Sequence, residues 1–197
     1  IYIVEITDAN GCIAFDTVSI EEPAFGTVVL AEANPQEFGP YDVRCYGESN
    51  ASATAYGSAV SFSWSPSGGN SATASGLSAG VYTVTGTDVD GCTEQSVIVI
   101  TEPDELLANG VSSGQLSAFG FDISCYGLSD GSIKVYPTGG VPGTGGYIYS
   151  WTGPINNQPL HLDSIKNLSV GTYNITITDA NDCVGNSQWI LTQPADT

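Results

Sequence analysis

Five cysteines, Cys12, Cys45, Cys92, Cys125 and Cys183, carry the most definite chemistry in this chain. Thiols at these positions could hold a metal ion or close disulfides. A structural zinc site needs Cys or His ligands gathered at short spacings. Here the cysteines stand far apart, and His161 is the one histidine in the sequence. Cys45 and Cys92 lie 47 positions apart, and Cys125 and Cys183, at matching places further on, lie 58 apart. A spacing that recurs in this way reads as one disulfide per unit, Cys45–Cys92 and Cys125–Cys183, formed in an oxidising compartment. Closing either loop would stabilise its unit by about 4 kcal/mol on the chain-entropy account. Cys12 is left over, and its partner is expected outside the segment.

The carboxylates offer less. Glycoside hydrolysis needs a positioned pair of acids in a cleft. The acids that recur between matching stretches are Asp42 with Asp122 and Asp88 with Asp179, whereas Glu48 faces Leu128 and Glu94 faces Gly185. Asp88 and Asp90, or Asp179 with Asn181 and Asp182, have the alternate spacing that could offer oxygens to Ca²⁺. The closing Glu of a full calcium loop is missing, and turn formation accounts for the same residues. No cofactor is therefore expected, calcium being the one ion worth testing. A Ser-His-Asp arrangement fails in the first unit, which has no His, and His161 reads as a solvated loop residue. Tyr147 and Tyr149 follow the flexible, Gly-rich run PTGGVPGTGG and precede Trp151. Exposed rings there could stack on sugars, and the competing reading is a longer hairpin around a buried Trp.

The elements that must position these residues are repeated. A 23-residue phrase occurs three times without a gap: IYIVEITDANGCIAFDTVSIEEP (1–23), VYTVTGTDVDGCTEQSVIVITEP (81–103) and TYNITITDANDCVGNSQWILTQP (172–194). DVRCYGESNASATAY (42–56) likewise matches DISCYGLSDGSIKVY (122–136). Fixed-period self-similarity marks a repeat array. One unit spans 24–103 and a second 104–197, lengthened by an insertion near 137–166. Residues 1–23 read as the C-terminal hairpin of a truncated repeat whose beginning lies outside the segment. Alternation of β-branched and aromatic residues between Gly, Ser, Asn and Asp clusters predicts strands, with no sustained helical stripe. The expected strands lie near 26–32, 51–56, 60–64, 81–88, 96–101, 111–117, 131–136, 147–151, 172–179 and 187–192. TDxxGC then reads as a tight hairpin turn with Cys just beyond it. The fold class is all-β: tandem immunoglobulin-like β-sandwich repeats with Trp64 and Trp151 in the cores. The disulfides are expected to clip one end of each sandwich.

The charge excludes some partners. Twenty-one acidic residues against three basic ones give a net charge of −18, which argues against nucleic acid, whose phosphates need a basic stripe. No apolar run approaches the roughly 20 residues of a membrane-spanning helix.

C-Y-G-x-S-[DN]-[AG]-S at 45–52 and 125–132, Ser63-Trp64 and Tyr149-Ser150-Trp151, and L-S-x-G-x-Y-x-[VI]-T-x-T-D-x-[DN]-x-C at 77–92 and 168–183 together resemble the SprB-type repeat of Bacteroidota gliding-motility adhesins. The resemblance implies a non-enzymatic repeat segment of a very large cell-surface adhesin. It implies export by the type IX secretion system, display at the outer membrane and movement by the gliding machinery. The implied partners are neighbouring repeats and an extracellular polysaccharide or solid surface. Under the same origin, Thr17 in Asp16-Thr17-Val18 and Ser164 in Asp163-Ser164-Ile165 resemble an O-glycosylation motif of that phylum. The rival reading is a spacer or carbohydrate-binding module of a secreted polysaccharide-degrading enzyme.

Overall fold

The structure is a computed structural model that describes residues 1–20, 29–33, 38–116, 120–155 and 161–196. It is all-β apart from one helical turn, α1 (Ser113–Leu116). In the first unit the strands are β3 (Val29–Ala33), β4 (Ala51–Gly57), β5 (Ser61–Ser65), β6 (Thr73–Leu77), β7 (Gly80–Thr87) and β8 (Thr93–Ile100). They form two antiparallel sheets, ordered β3-β4-β6 and β5-β7-β8. The second unit repeats the plan with β9 (Gly110–Ser112), β10 (Gly131–Val135), β11 (Ile148–Thr152), β12 (Ser164–Leu168), β13 (Gly171–Thr178) and β14 (Val184–Leu191). Its sheets run β12-β10-β9 and β11-β13-β14. Even a register shift recurs, at Ala51/Ser52 and at Gly131/Ser132.

Each pair of sheets closes on its own apolar core, as alternation along a strand requires. Trp64, Tyr82, Val84, Ile98 and Ile100 are buried in the first. Trp151, Tyr173, Ile175, Ile177 and Leu191 are buried in the second. Both core tryptophans find a carbonyl for the indole N–H: Trp64 donates to Ser71 O and Trp151 to Leu162 O. Both core tyrosines also donate to a carbonyl four residues back, Tyr82 to Ser78 O and Tyr173 to Ser169 O. A further hairpin, β1 (Tyr2–Thr7) with β2 (Ile13–Val18), has the register of β7–β8. Its Tyr2, Val4 and Val18, the counterparts of buried Tyr82, Val84 and Ile98, are exposed within this chain.

Three features differ from expectation. β6 and β12 fall where TASGL and SIKNL gave no alternating apolar signal. The strand expected over 111–117 is only β9, because the chain turns into α1 at Ser113, where Ser113 Oγ donates to Asp122 O. The run 137–146, expected to be flexible, is bonded down. Leu107 bridges Thr138, and Gly140 N–H donates to Asp104 O. Gly139 and Gly140 have positive φ, and a Cβ at Gly139 would collide with Glu105 O. That approach admits glycine alone. Residues 26–28 and 117 of the expected strands, and 156–160 of the insertion, lie outside the described residues.

Candidate functional site

The hairpin turn is built three times on one aspartate. Asp8 Oδ1 accepts from Asn10 N and Cys12 N, both at 2.8 Å. Asp88 Oδ1 accepts from Asp90 N and Cys92 N at 2.9 Å. Asp179 Oδ1 accepts from Asn181 N at 2.8 Å and Cys183 N at 2.9 Å. The recurrent acid thus satisfies turn N–H groups, the role Asx residues fill in tight turns. Gly11, Gly91 and Asp182 each take positive φ ahead of the cysteine. No group of three metal-ligating side chains gathers among the described residues.

The other recurrent cysteine sits in a loop fastened to the end of the last strand. Asp42 Oδ2 accepts from Thr101 N and Oγ1, both at 2.8 Å, and Gly47 N donates to Glu102 Oε2 at 2.6 Å. In the second unit Asp122 Oδ2 accepts from Thr192 N and Oγ1, and Gly127 N donates to Gln193 Oε1. Burial opposes ionisation of Asp122, but hydrogen bonds from Ser112, Thr192 and Gly114 outweigh it and hold the carboxyl below the usual aspartate range. The D-x-x-C-Y-G and T-[EQ]-P phrases, far apart in sequence, are therefore halves of one structure at one end of the sandwich.

This geometry overturns the expected disulfides. Cys45 sits in the loop that Val43 and Gly47 fasten to Thr101 and Glu102, past the end of β8, whereas Cys92 lies before its start at Thr93. Eight strand residues span roughly 26 Å at ~3.3 Å each, and a disulfide needs Cα atoms within about 7 Å. Cys45 and Cys92 thus occupy opposite ends of their sandwich, and Cys125 and Cys183 do likewise. The bond that forms is Cys45–Cys183, between units, with Cα atoms 5.6 Å apart. Cys12 and Cys125 are exposed thiols, and Cys92 is exposed as well. Sequence spacing showed that the cysteines recur. It did not show that the two members of each recurring pair point away from each other.

The hairpin turn of the second unit seats on the end of the first. Asn181 Nδ2 donates to Phe38 O at 3.2 Å and Arg44 O at 3.4 Å. Arg44 is held first by Glu48, its Nη2 lying 2.9 Å from Oε1 and its Nε 3.2 Å from Oε2, with Asp182 adding a weaker attraction that also favours the charged guanidinium. Asp179 is buried and reaches both ways: its Oδ2 accepts from Val141 N at 2.8 Å. Ala180 N donates in turn to Val141 O. The Gly-rich run of the insertion thus braces the hairpin that carries Cys183.

The other residues singled out by their chemistry lie away from this junction or within a core. Tyr147 and Tyr149 are half-buried against the second core, and Tyr147 Oη donates to Gly139 O at 2.7 Å. Burial raises both phenol pKa values, aided at Tyr147 by Asp179 and at Tyr149 by Asp163. Between them Ile148 is the residue that faces solvent. Thr17 is exposed on β2, and Ser164 opens β12 opposite Lys134. His161 is exposed, with Nδ1 3.3 Å from Tyr149 O.

Sandwiches built to one plan and joined end to end define the class: a tandem β-sandwich array. Within it, residues 122–156 match the family model of the SprB repeat, and that stretch is a repeat of the SprB type. No curated protein matches the sequence. Among solved structures, the three N-terminal domains of the highly immunogenic outer capsid protein (Hoc) of bacteriophage RB49 align at 16% identity and a TM-score of 0.43. That alignment covers 86% of this chain and 59% of the phage chain, so the chain corresponds to less than two thirds of the phage domains' length.

Proposed function

We propose that this chain is a non-enzymatic, load-bearing stretch of a cell-surface adhesin of the gliding-motility type. It is carried outside the outer membrane of a Bacteroidota cell after type IX export and drawn over a polysaccharide or solid surface by the gliding machinery. The observation that carries the reading is the SprB-repeat match at 122–156. The junction supports it: a chain pulled from its ends transmits force through Cys45–Cys183 and the Asn181 contacts as well as through the backbone. The surface charge supports it too, since a net charge of −18 opposes self-association of parallel filaments.

Antibodies raised to this segment test the reading. On intact producing cells they should label the surface without permeabilisation, and the labelled spots should travel along gliding cells. Label that appears only after the outer membrane is breached would overturn it. Binding of the purified segment to a polysaccharide array would place adhesion in these units, whereas absence of binding would leave them as the stalk.

A further inference from the structure

We propose that the far end of the second unit is the seat for the β-hairpin of a following unit, and that Cys125 closes onto that hairpin's cysteine as Cys45 closes onto Cys183. The proposal rests on reading the chain as part of a longer array. Its occupant is one more copy of the same kind of unit.

The two unit ends are built alike, and one of them is already occupied. Asp42 and Asp122, Val43 and Ile123, and Gly47 and Gly127 make the same bonds to the end of the closing strand, and Cys45 O and Cys125 O each accept from the N–H three residues on. The ends differ in cover. Where the second unit docks, Tyr41, Arg44, Cys45 and Glu48 are half-buried. Their counterparts Phe121, Ser124, Cys125 and Leu128 are exposed, Phe121 at 42% and Leu128 at 47%. Phe121, Asp122, Ile123 and Pro194 line an open cleft of about 430 Å³ at that end. The hairpins show the converse. Asp179 and Cys183 of the docked hairpin are buried, while Asp88 is half-buried and Cys92 exposed at the matching places of the first unit. Each unit thus carries a seat with one cysteine at its far end and a plug with another at its near end. Seat and plug within one unit are a strand length apart, so the pairing must run from unit to unit.

Formation of the bond needs a disulfide donor, either an oxidoreductase of the export compartment in its disulfide form or oxidised glutathione in vitro. The Cys125 thiolate attacks one donor sulfur, giving a mixed disulfide and releasing the first donor thiolate. The incoming hairpin thiolate then attacks Cys125 Sγ and releases the second donor thiolate. Two protons leave the protein thiols, and two electrons end on the donor, which departs as two thiols.

The test is the whole chain, lengthened after Pro194 by a second copy of residues 104–194. Ile190→Val in the added copy, at an exposed position, marks its hairpin peptide by mass, and Cys125→Ser in the same copy leaves the original 122–129 as the cysteine-bearing form of that peptide. The protein is refolded in a glutathione redox buffer, its thiols are alkylated, and it is digested without reduction by a protease that cuts before aspartate. Trypsin is unsuitable with only three basic residues in the chain. The expected products are the peptide 122–129 of the original second unit linked to the marked hairpin, and Cys45 linked to unmarked Cys183. Cys125→Ser in the original second unit should leave Cys45–Cys183 intact and render the marked hairpin cysteine alkylatable. With the added copy's Cys125 replaced by serine, an alkylated cysteine-bearing 122–129 peptide, a link from it to its own unit's unmarked hairpin, or loss of the Cys45–Cys183 link would each overturn the proposal. The outcome is independent of adhesion, so a segment that binds no surface could still staple, and a binding segment could fail to.

Discussion

Side chains at matching places do matching work in the two units, which lets single substitutions be read against an internal control. Trp151 is 2% exposed and donates to Leu162 O. Trp151→Ala should cost the second core about 3–5 kcal/mol, since such truncations leave a cavity as well as lost transfer energy. The first core, with Trp64 intact, should melt almost unchanged, which calorimetry resolves as two transitions moving apart. Asp122 gives a pH signature. Its folded pKa lies below its unfolded value near 3.9. It therefore contributes stability above that value and loses it as pH falls through the lower, folded one. Denaturant melts of Asp122→Asn should show a less stable second unit at pH 7, with the gap to the parent closing below about pH 4. A constant gap would mean that the carboxylate charge contributes nothing.

Hairpins and loops are where sequence and structure diverge, and the reason is the range of the information. The alternation Tyr173, Ile175, Ile177 along β13 is local, and it correctly set the inward face, as it did for Tyr82 and Val84 on β7. The turn was legible too, because an Asx residue, a positive-φ position and Cys fall within five residues. The disulfide partner was not, since it depends on which end of an eight-residue strand each cysteine occupies and on how the next unit is oriented. The fastening of Asp42 to Thr101 spans 59 positions and leaves no local trace. Such distinctions predict an asymmetry between equivalent turns. Asp88 supports its turn from a half-buried position, whereas Asp179 is buried and also holds Val141 in the bracing loop. Asp88→Ala should cost about 1 kcal/mol, and Asp179→Ala roughly 2–3 kcal/mol, because Val141 N–H and the loop it anchors are left without their acceptor. Equal losses in chemical denaturation would show that the loop does not depend on the hairpin.

At the scale of the whole chain, the inter-unit bond decides whether two sandwiches behave as beads or as a rod. A bond within each unit would have stabilised that unit and left the junction free. Cys45–Cys183 instead spans 138 positions and fixes one sandwich end against the next. The chain-entropy account allows it about 5 kcal/mol at most against global unfolding. The larger consequence is orientation, because Pro103 and Asp104 join the units with no flexible linker, and the disulfide supplies a second covalent point beside that connection. Two points of attachment remove most of the swing that one would permit, leaving rotation about the line between them to be checked by Asn181, which bonds Phe38 O and Arg44 O. Cys183→Ser should therefore leave both cores folded by circular dichroism at room temperature. Its small-angle X-ray scattering should nonetheless require a broader distribution of end-to-end distances, and reduction of the parent should reproduce that broadening. A variant as rigid as the parent would assign the stiffness to the noncovalent junction. In that case the disulfide would serve to keep the units from being pulled apart under load, and the difference would appear in single-molecule extension as a lower force for separating the units.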